Sequence, residues 1–108
     1  MKNLVPPYYA VIFTSKKSTN LVNYDQTADQ MEHLAAQQPG YLDFVASTCD
    51  DGRTVATSYW QTEADILNWK KQQEHVAARQ MGKQSWYDEF TVEVAKVERA
   101  YSWTRETG

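Results

Sequence analysis

The stretch SYWQTEADILNW, Ser58 to Trp69, decides the fold because its hydrophobic period changes within it. The residues that lead into Trp60 alternate as in a β-strand, whereas Ile66 and Trp69 recur at helical spacing. Thr62 is followed three residues later by an acidic residue, a spacing typical of the cap at the start of a helix. The stretch therefore predicts a strand over residues 53–60 that passes directly into a helix.

The helical periodicity becomes weaker beyond Gln73. We therefore expect a break or kink near Gln73 to His75 and a short further helical turn that ends at Gly82. A loop that carries Trp86 and Tyr87 would follow, and then a last strand from about Phe90 to Tyr101.

Upstream of the junction the chain divides into three further elements. Residues 8–15 are rich in aromatic and β-branched side chains and predict a first strand. Apolar residues then recur at three- and four-residue steps from Tyr24, and the predicted helix is capped by Asn23 with Gln26 and stopped by Pro39-Gly40. Residues 41–49 form a second strand, which the turn Asp50-Asp51-Gly52 joins to the strand at the junction.

The resulting order, β-α-β-β-α-β, is the split βαβ arrangement of ferredoxin-like α+β folds, with a four-stranded antiparallel sheet. Both helices lie on one face of such a sheet. The first strand nevertheless has apolar side chains on both faces, so the second face also needs cover. A second copy of the same sheet, packed face to face, is the simplest cover, so we expect a homodimer.

Composition limits the possible functions. We expect residues 1–108 to form one domain with 42% apolar and 13% aromatic residues, which excludes a disordered chain. The formal net charge is −3 and the basic residues are scattered, so no nucleic-acid partner is expected. The longest apolar run is too short to cross a bilayer, and we expect no membrane partner. The single cysteine, Cys49, cannot form an internal disulfide, which favours a cytoplasmic location.

The chain resembles the antibiotic biosynthesis monooxygenase family of dimeric α+β barrels over about residues 8 to 103. The resemblance depends on four segments with characteristic residues and on Trp69 within the second helix. The four segments are Pro39 to Leu42, Ser58 to Glu63, Glu74 to Arg79 and Phe90 to Val92. The resemblance implies oxygenation of a phenol or quinol without metal or flavin. The partners would be a small aromatic molecule and dioxygen, and no cofactor would be needed.

The polyketide-oxidising members of this family are matched at some positions and not at others. Trp60 corresponds to the tryptophan that ends strand three and lines their substrate pocket, and Arg79 lies near a positively charged position of helix two. Ala56 stands where those members have an asparagine, and Ile66 where they have a tyrosine.

A related branch binds and degrades haem, and the chain matches it at fewer positions. Trp69 corresponds to the helix-two tryptophan that presses on the haem plane in that branch. The iron-ligating histidine should lie near Arg79, but His75 is one helical turn away. The strand-one asparagine has no counterpart in residues 8–15.

Candidate site residues follow from the side-chain chemistry together with the resemblance. We predict that His75 transfers a proton, because an imidazole titrates near neutral pH. Arg79 would stabilise an enolate or phenolate. The substrate-binding residues would be Trp60, Trp69, Tyr59, Phe13 and Tyr87.

Each of these residues also has a structural explanation. Trp69 lies on the apolar stripe of its helix, and His75 could simply end a broken helical turn.

Two separated histidines and one cysteine have no metal-ligand spacing, so no metal is expected. Besides a monooxygenase, the sequence also permits a non-catalytic ligand-binding or stress-related protein whose pocket is closed by Trp69 and Tyr87.

Overall fold

The computed structural model of this chain describes residues 4–22, 24–79 and 86–106, with the side chains of residues 75–79 not included. It confirms the order β-α-β-β-α-β. The elements are β1 (Tyr8–Lys17), α1 (Tyr24–Ala36), β2 (Tyr41–Thr48), β3 (Arg53–Trp60), α2 (Glu63–Arg79) and β4 (Tyr87–Val97).

The four strands form one antiparallel sheet in the order β2-β3-β1-β4, the ferredoxin-like arrangement predicted from the sequence. Cross-strand partners lie on the same face of a sheet. One face, which we call the cavity face, carries Val11, Phe13 and Ser15 of β1 and their β3 partners Ser58, Ala56 and Thr54. The other, which we call the open face, carries the alternate residues, among them Tyr59 and the buried residues Tyr8 and Ala10.

The start of α2 is held against the start of β2. Thr62 accepts a hydrogen bond from the backbone N–H of Asp65 and donates its hydroxyl proton to the Asp65 carboxylate over 2.8 Å. Gln61 donates its backbone N–H to the carbonyl of Gly40 over 2.8 Å. Gly40 has φ +80°, and a Cβ placed there would overlap the Asp65 carboxylate. The predicted helix cap is thus confirmed, and it lies against a glycine at which any side chain would displace Asp65.

Two predicted boundaries are wrong. Helix α2 continues without a break through Gln73 to Arg79, because the polar residues that weaken its apolar stripe are good helix formers. Strand β4 begins at Tyr87 and ends at Val97, so Tyr87 belongs to the strand and not to a loop. The expected turn up to Gly82 and the capping residue Asn23 lie outside the described residues.

The core joins both helices to the sheet. Ala35 of α1, Trp60 of β3 and Trp69 of α2 form a buried cluster, against which Met31 and Ile66 pack. The two indole rings are stacked, with centroids 5.8 Å apart. The end of β3 and the second turn of α2 are therefore fixed relative to each other. No helix within the described ranges is long and apolar enough to cross a membrane.

Candidate active site

A cavity of about 310 Å³ lies between the cavity face and the two helices. Its floor is formed by side chains of all four strands, and its walls come from α1, α2 and the residues that begin β4. The aromatic lining residues are Phe13, Tyr24, Phe44, Trp69, Trp86 and Tyr87. This volume lies at the lower end of the range for organic-ligand pockets, and aromatic walls with few polar groups are typical of them. The cavity suits a compact, flat ligand.

The indole of Trp69 is one wall of the cavity. Its side chain is buried, lines the cavity and stacks on Trp60 behind it. Trp60 is completely buried, and its indole N–H donates to the Ser58 hydroxyl over 2.8 Å. Trp69 therefore presents one ring face to the cavity while Trp60 supports the other.

A second aromatic cluster lines the part of the cavity next to β4. Phe13 stacks on Phe90 and meets Tyr87 edge to face, with ring centroids 5.3 and 5.4 Å apart. Tyr87 also meets Tyr24 of α1, whose ring meets that of Trp86. The indole N–H of Trp86 donates to the carbonyl of Val22 over 2.8 Å, which fixes the segment that enters β4.

The Tyr87 phenol stays protonated over the physiological pH range. Burial raises the pKa of Tyr87 far above its ordinary value, and the neighbouring Tyr24 phenol raises it further by charge repulsion and by a side-chain hydrogen bond. Tyr87 is thus a neutral phenol in the cavity wall. It cannot serve as a base in neutral solution.

The two carboxylates of the described lining are its only charged side chains. Asp29 and Glu32 lie on exposed positions of α1 and contribute to the cavity lining. The side chains of His75 and Arg79 lie outside the described residues, although both belong to α2. The proton-transfer role of His75 and the anion-stabilising role of Arg79 stay predictions.

The predicted substrate-binding residues are distributed over three places. Phe13, Trp69 and Tyr87 line the cavity. Trp60 lies behind Trp69 in the core, and Tyr59 lies on the open face, where its ring meets that of Tyr8 with centroids 5.9 Å apart. A binding role for each of the five residues stays a prediction. Within the described residues, no group of three or more His, Cys, Asp or Glu side chains could hold a metal ion.

Sequence reasoning missed three serine or threonine residues of the cavity floor. Ser15, Thr54 and Ser58 all lie on the cavity face. The alternation that runs through Val11 and Phe13 could have placed Ser15 on the same face, but its polar side chain looked like the end of the strand. Ala56, where the family resemblance leads us to expect an asparagine, also lines the cavity and offers only a methyl group.

Similar folds occur among solved structures. A mutant of SnoaB, a cofactor-independent oxygenase from Streptomyces nogalater, superimposes with a TM-score of 0.72 and 9% identity, covering 88% of this chain and 97% of that one. A Nitrosomonas europaea protein, whose name assigns it to the antibiotic biosynthesis monooxygenases, gives a TM-score of 0.70 at 15% identity, covering 89% and 95% of the two chains. At these identities the likeness shows the fold alone.

Sequence similarity is more extensive with one protein of Bacillus subtilis strain 168. YqjZ, an uncharacterised protein, is 47% identical over 94 residues, which span 87% of this chain and 82% of YqjZ. The model of the antibiotic biosynthesis monooxygenase family matches residues 23–81, which contain α1, β2, β3 and α2. The chain therefore belongs to the antibiotic biosynthesis monooxygenase family.

Proposed function

We propose that this protein is a cofactor-independent monooxygenase that oxidises a small phenol or quinol with dioxygen. The observation that carries the proposal is the aromatic cavity between the sheet and the helices. Its flat walls at Trp69 and Phe13 would hold a ring and shield it from water. Family membership and the SnoaB-like fold support the same reaction class.

The reaction balances without an external reductant. For a phenol with a free para position, dioxygen inserts one oxygen atom at that ring carbon, which loses its hydrogen and becomes a carbonyl. The second oxygen atom leaves as water. The substrate loses four electrons and dioxygen accepts them, so the products are a quinone and one water. The protein needs to orient the ring, remove a proton and stabilise the resulting anion.

For the proton transfer we retain His75 as the proposed acceptor, with Arg79 as the group that stabilises the phenolate. The described alternatives are the carboxylates of Asp29 and Glu32. A pH profile distinguishes a histidine base from a carboxylate base, because a histidine base loses its proton and becomes active only at a higher pH. If His75 is the base, His75→Ala should lower turnover about a hundredfold or more and leave the fold intact.

The direct experiment measures oxygen consumption with a panel of phenols and reduced quinones, with the products identified by mass spectrometry. Turnover above the rate in buffer, with one atom of labelled dioxygen in the product, is expected. A panel that gives no turnover over the buffer rate would contradict the proposal.

A non-catalytic binding protein is the second candidate. It is favoured by one observation: the described part of the cavity lining contains no histidine, cysteine, lysine or arginine side chain. In a thermal-shift screen, a compound that raises the melting temperature and is recovered unchanged after incubation in air supports binding alone.

We also propose that the protein is a homodimer, joined through the open face. The open face includes Val45, which is 54% exposed, and the segment after β4 presents Tyr101 and Trp103 at 99% and 78% exposure. Apolar groups in such positions are typically covered by another chain. Sedimentation should give twice the chain mass, and a monomer at micromolar concentration would contradict the proposal.

The free thiol of Cys49 is compatible with the cytoplasmic location that we propose.

A further inference from the structure

Two hydroxyl groups on the cavity face have no hydrogen-bond partner among the described residues. They belong to Ser15 of β1 and Thr54 of β3. Ser15 is only 2% exposed, and the hydroxyl oxygen of Thr54 is also buried. Buried hydroxyls are normally paired, because leaving one unpaired in the interior costs free energy. A pair of unpartnered hydroxyls therefore needs an explanation.

The two hydroxyls share one position in the sheet. Ser15 and Thr54 are directly opposite each other in the register of β1 and β3, and both line the cavity. Their side chains lie on the same face, with their Cβ atoms about 4.5–5.5 Å apart as in any directly opposite pair. Ser15 also pairs with Phe90 of β4, so the second aromatic cluster is beside them.

These hydroxyls lie at the opposite end of the floor from the stacked tryptophans. Val11 pairs with Ser58, next to the Trp60 end of β3, and Ser15 is four residues further along β1. Four residues of a strand span about 13 Å. A ring system on the floor can thus have its polar substituent at Ser15 and Thr54 and its rings on the side of Trp69.

The surrounding charges favour a neutral substituent. Asp29 and Glu32 line the cavity, and no basic side chain does so in the part that the structure describes. A carboxylate or phosphate on the ligand would meet two carboxylates of the same sign. A phenolic hydroxyl or a quinone carbonyl has no such penalty, and a hydroxyl can donate to or accept from either group.

We propose that Ser15 and Thr54 form a binding subsite for the oxygen atom of a neutral, one- or two-ring phenol or quinone. This inference rests on the proposed function only in taking the cavity as the ligand site. It adds the orientation of the ligand, with its oxygen at Ser15 and Thr54 and its rings toward Trp69. Both residues are positioning residues, and no bond to either one forms or breaks.

The test measures binding of three probes by calorimetry without oxygen, so that no turnover intervenes. The probes are 1-naphthol, naphthalene, which lacks the oxygen, and 1-naphthoate, which is an anion. Wild-type protein should bind 1-naphthol more tightly than either of the others. The double variant Ser15→Ala/Thr54→Val should lose about tenfold in affinity for 1-naphthol and keep its affinity for naphthalene.

Thr57→Val provides the matched control. It removes a threonine hydroxyl from the same strand but from the open face, and it should leave all three affinities unchanged. The ligand-free double variant should melt no lower than wild type, because it removes two unpaired buried hydroxyls.

Three results would overturn the inference. The first is a double variant that still prefers 1-naphthol over naphthalene as strongly as the wild type does. The second is a double variant that loses as much affinity for naphthalene as for 1-naphthol. The third is a wild-type protein that binds 1-naphthoate more tightly than 1-naphthol. The proposed function can fail separately. Binding that follows the expected pattern, together with no oxygen consumption, would refute the monooxygenase and leave the subsite in place.

Discussion

Substituting alanine for the two glycines that have positive φ in the described part of the chain separates backbone strain from a side-chain overlap. Gly40 has φ +80° and Gly52 has φ +88°, so Ala at either position must adopt a left-handed conformation. Nothing lies within 4 Å of a Cβ at Gly52, whereas a Cβ at Gly40 would overlap the Asp65 carboxylate. The two substitutions share the backbone penalty and differ in the overlap.

The expected magnitudes follow from these contacts. Gly52→Ala should lower the free energy of unfolding by about 1 kcal/mol, the cost of placing a Cβ in the left-handed region. Gly40→Ala should cost the same amount and also displace Asp65, which breaks its hydrogen bonds with Thr62 at the start of α2. A lost helix cap adds about 1 kcal/mol, so we expect a total of about 2–3 kcal/mol.

Thermal unfolding followed by circular dichroism is the assay. Each kcal/mol corresponds to about 4–8 °C in a domain of this size, so the two variants should be clearly separated. Gly40→Ala should also weaken binding of 1-naphthol, because a displaced α2 moves Trp69 relative to the cavity floor. Equal destabilisation by the two substitutions would refute the role assigned to the contact between Gly40 and Asp65.

Two further predictions concern the cavity walls. Trp69→Ala removes a buried ring that stacks on Trp60, and it should lower the free energy of unfolding by about 3–5 kcal/mol in urea titrations; a cost below about 1 kcal/mol would contradict the assigned packing. Because the pKa of Tyr87 is raised in the folded protein, its contribution to stability is fully present below about pH 10, the ordinary tyrosine pKa. The contribution is lost as the pH rises further, since Tyr87 then ionises readily only in the unfolded chain. Stability measured from pH 8 to 11 should therefore decline less in Tyr87→Phe than in the wild type, and parallel declines would show that the Tyr87 phenol is not buried as described.

The fold could be predicted from the sequence because several independent patterns agree. The change of period at Trp60, the cap at Thr62 and the turn at Gly52 each fix one boundary of an element, and the structure confirms them. The last strand was placed less well. Much of β4 is exposed, so its side chains alternate weakly, and no Gly or Pro marks where it begins or ends.

The candidate site was less predictable, because a cavity depends on the register between strands. The sequence identifies Phe13, Trp69 and Tyr87 as large aromatic residues, and the structure brings them to one cavity. Ser15 and Thr54 are 39 positions apart in the chain, and only the pairing of β1 with β3 places their hydroxyls side by side. Serine and threonine also occur throughout protein surfaces, so their presence in a sequence does not indicate a binding residue.

Filling the cavity tests most directly whether oxidation takes place there. Ala56 lines the floor, and the new ring in Ala56→Phe would occupy the space of a substrate ring. The control, Ala64→Phe, adds the same ring at an exposed position in the first turn of α2. The rate of oxygen consumption with 1-naphthol or a reduced quinone should be close to wild type in Ala64→Phe and close to the buffer rate in Ala56→Phe, with both variants folded by circular dichroism. A folded Ala56→Phe protein that consumes oxygen at the wild-type rate would contradict the assignment of the cavity as the active site.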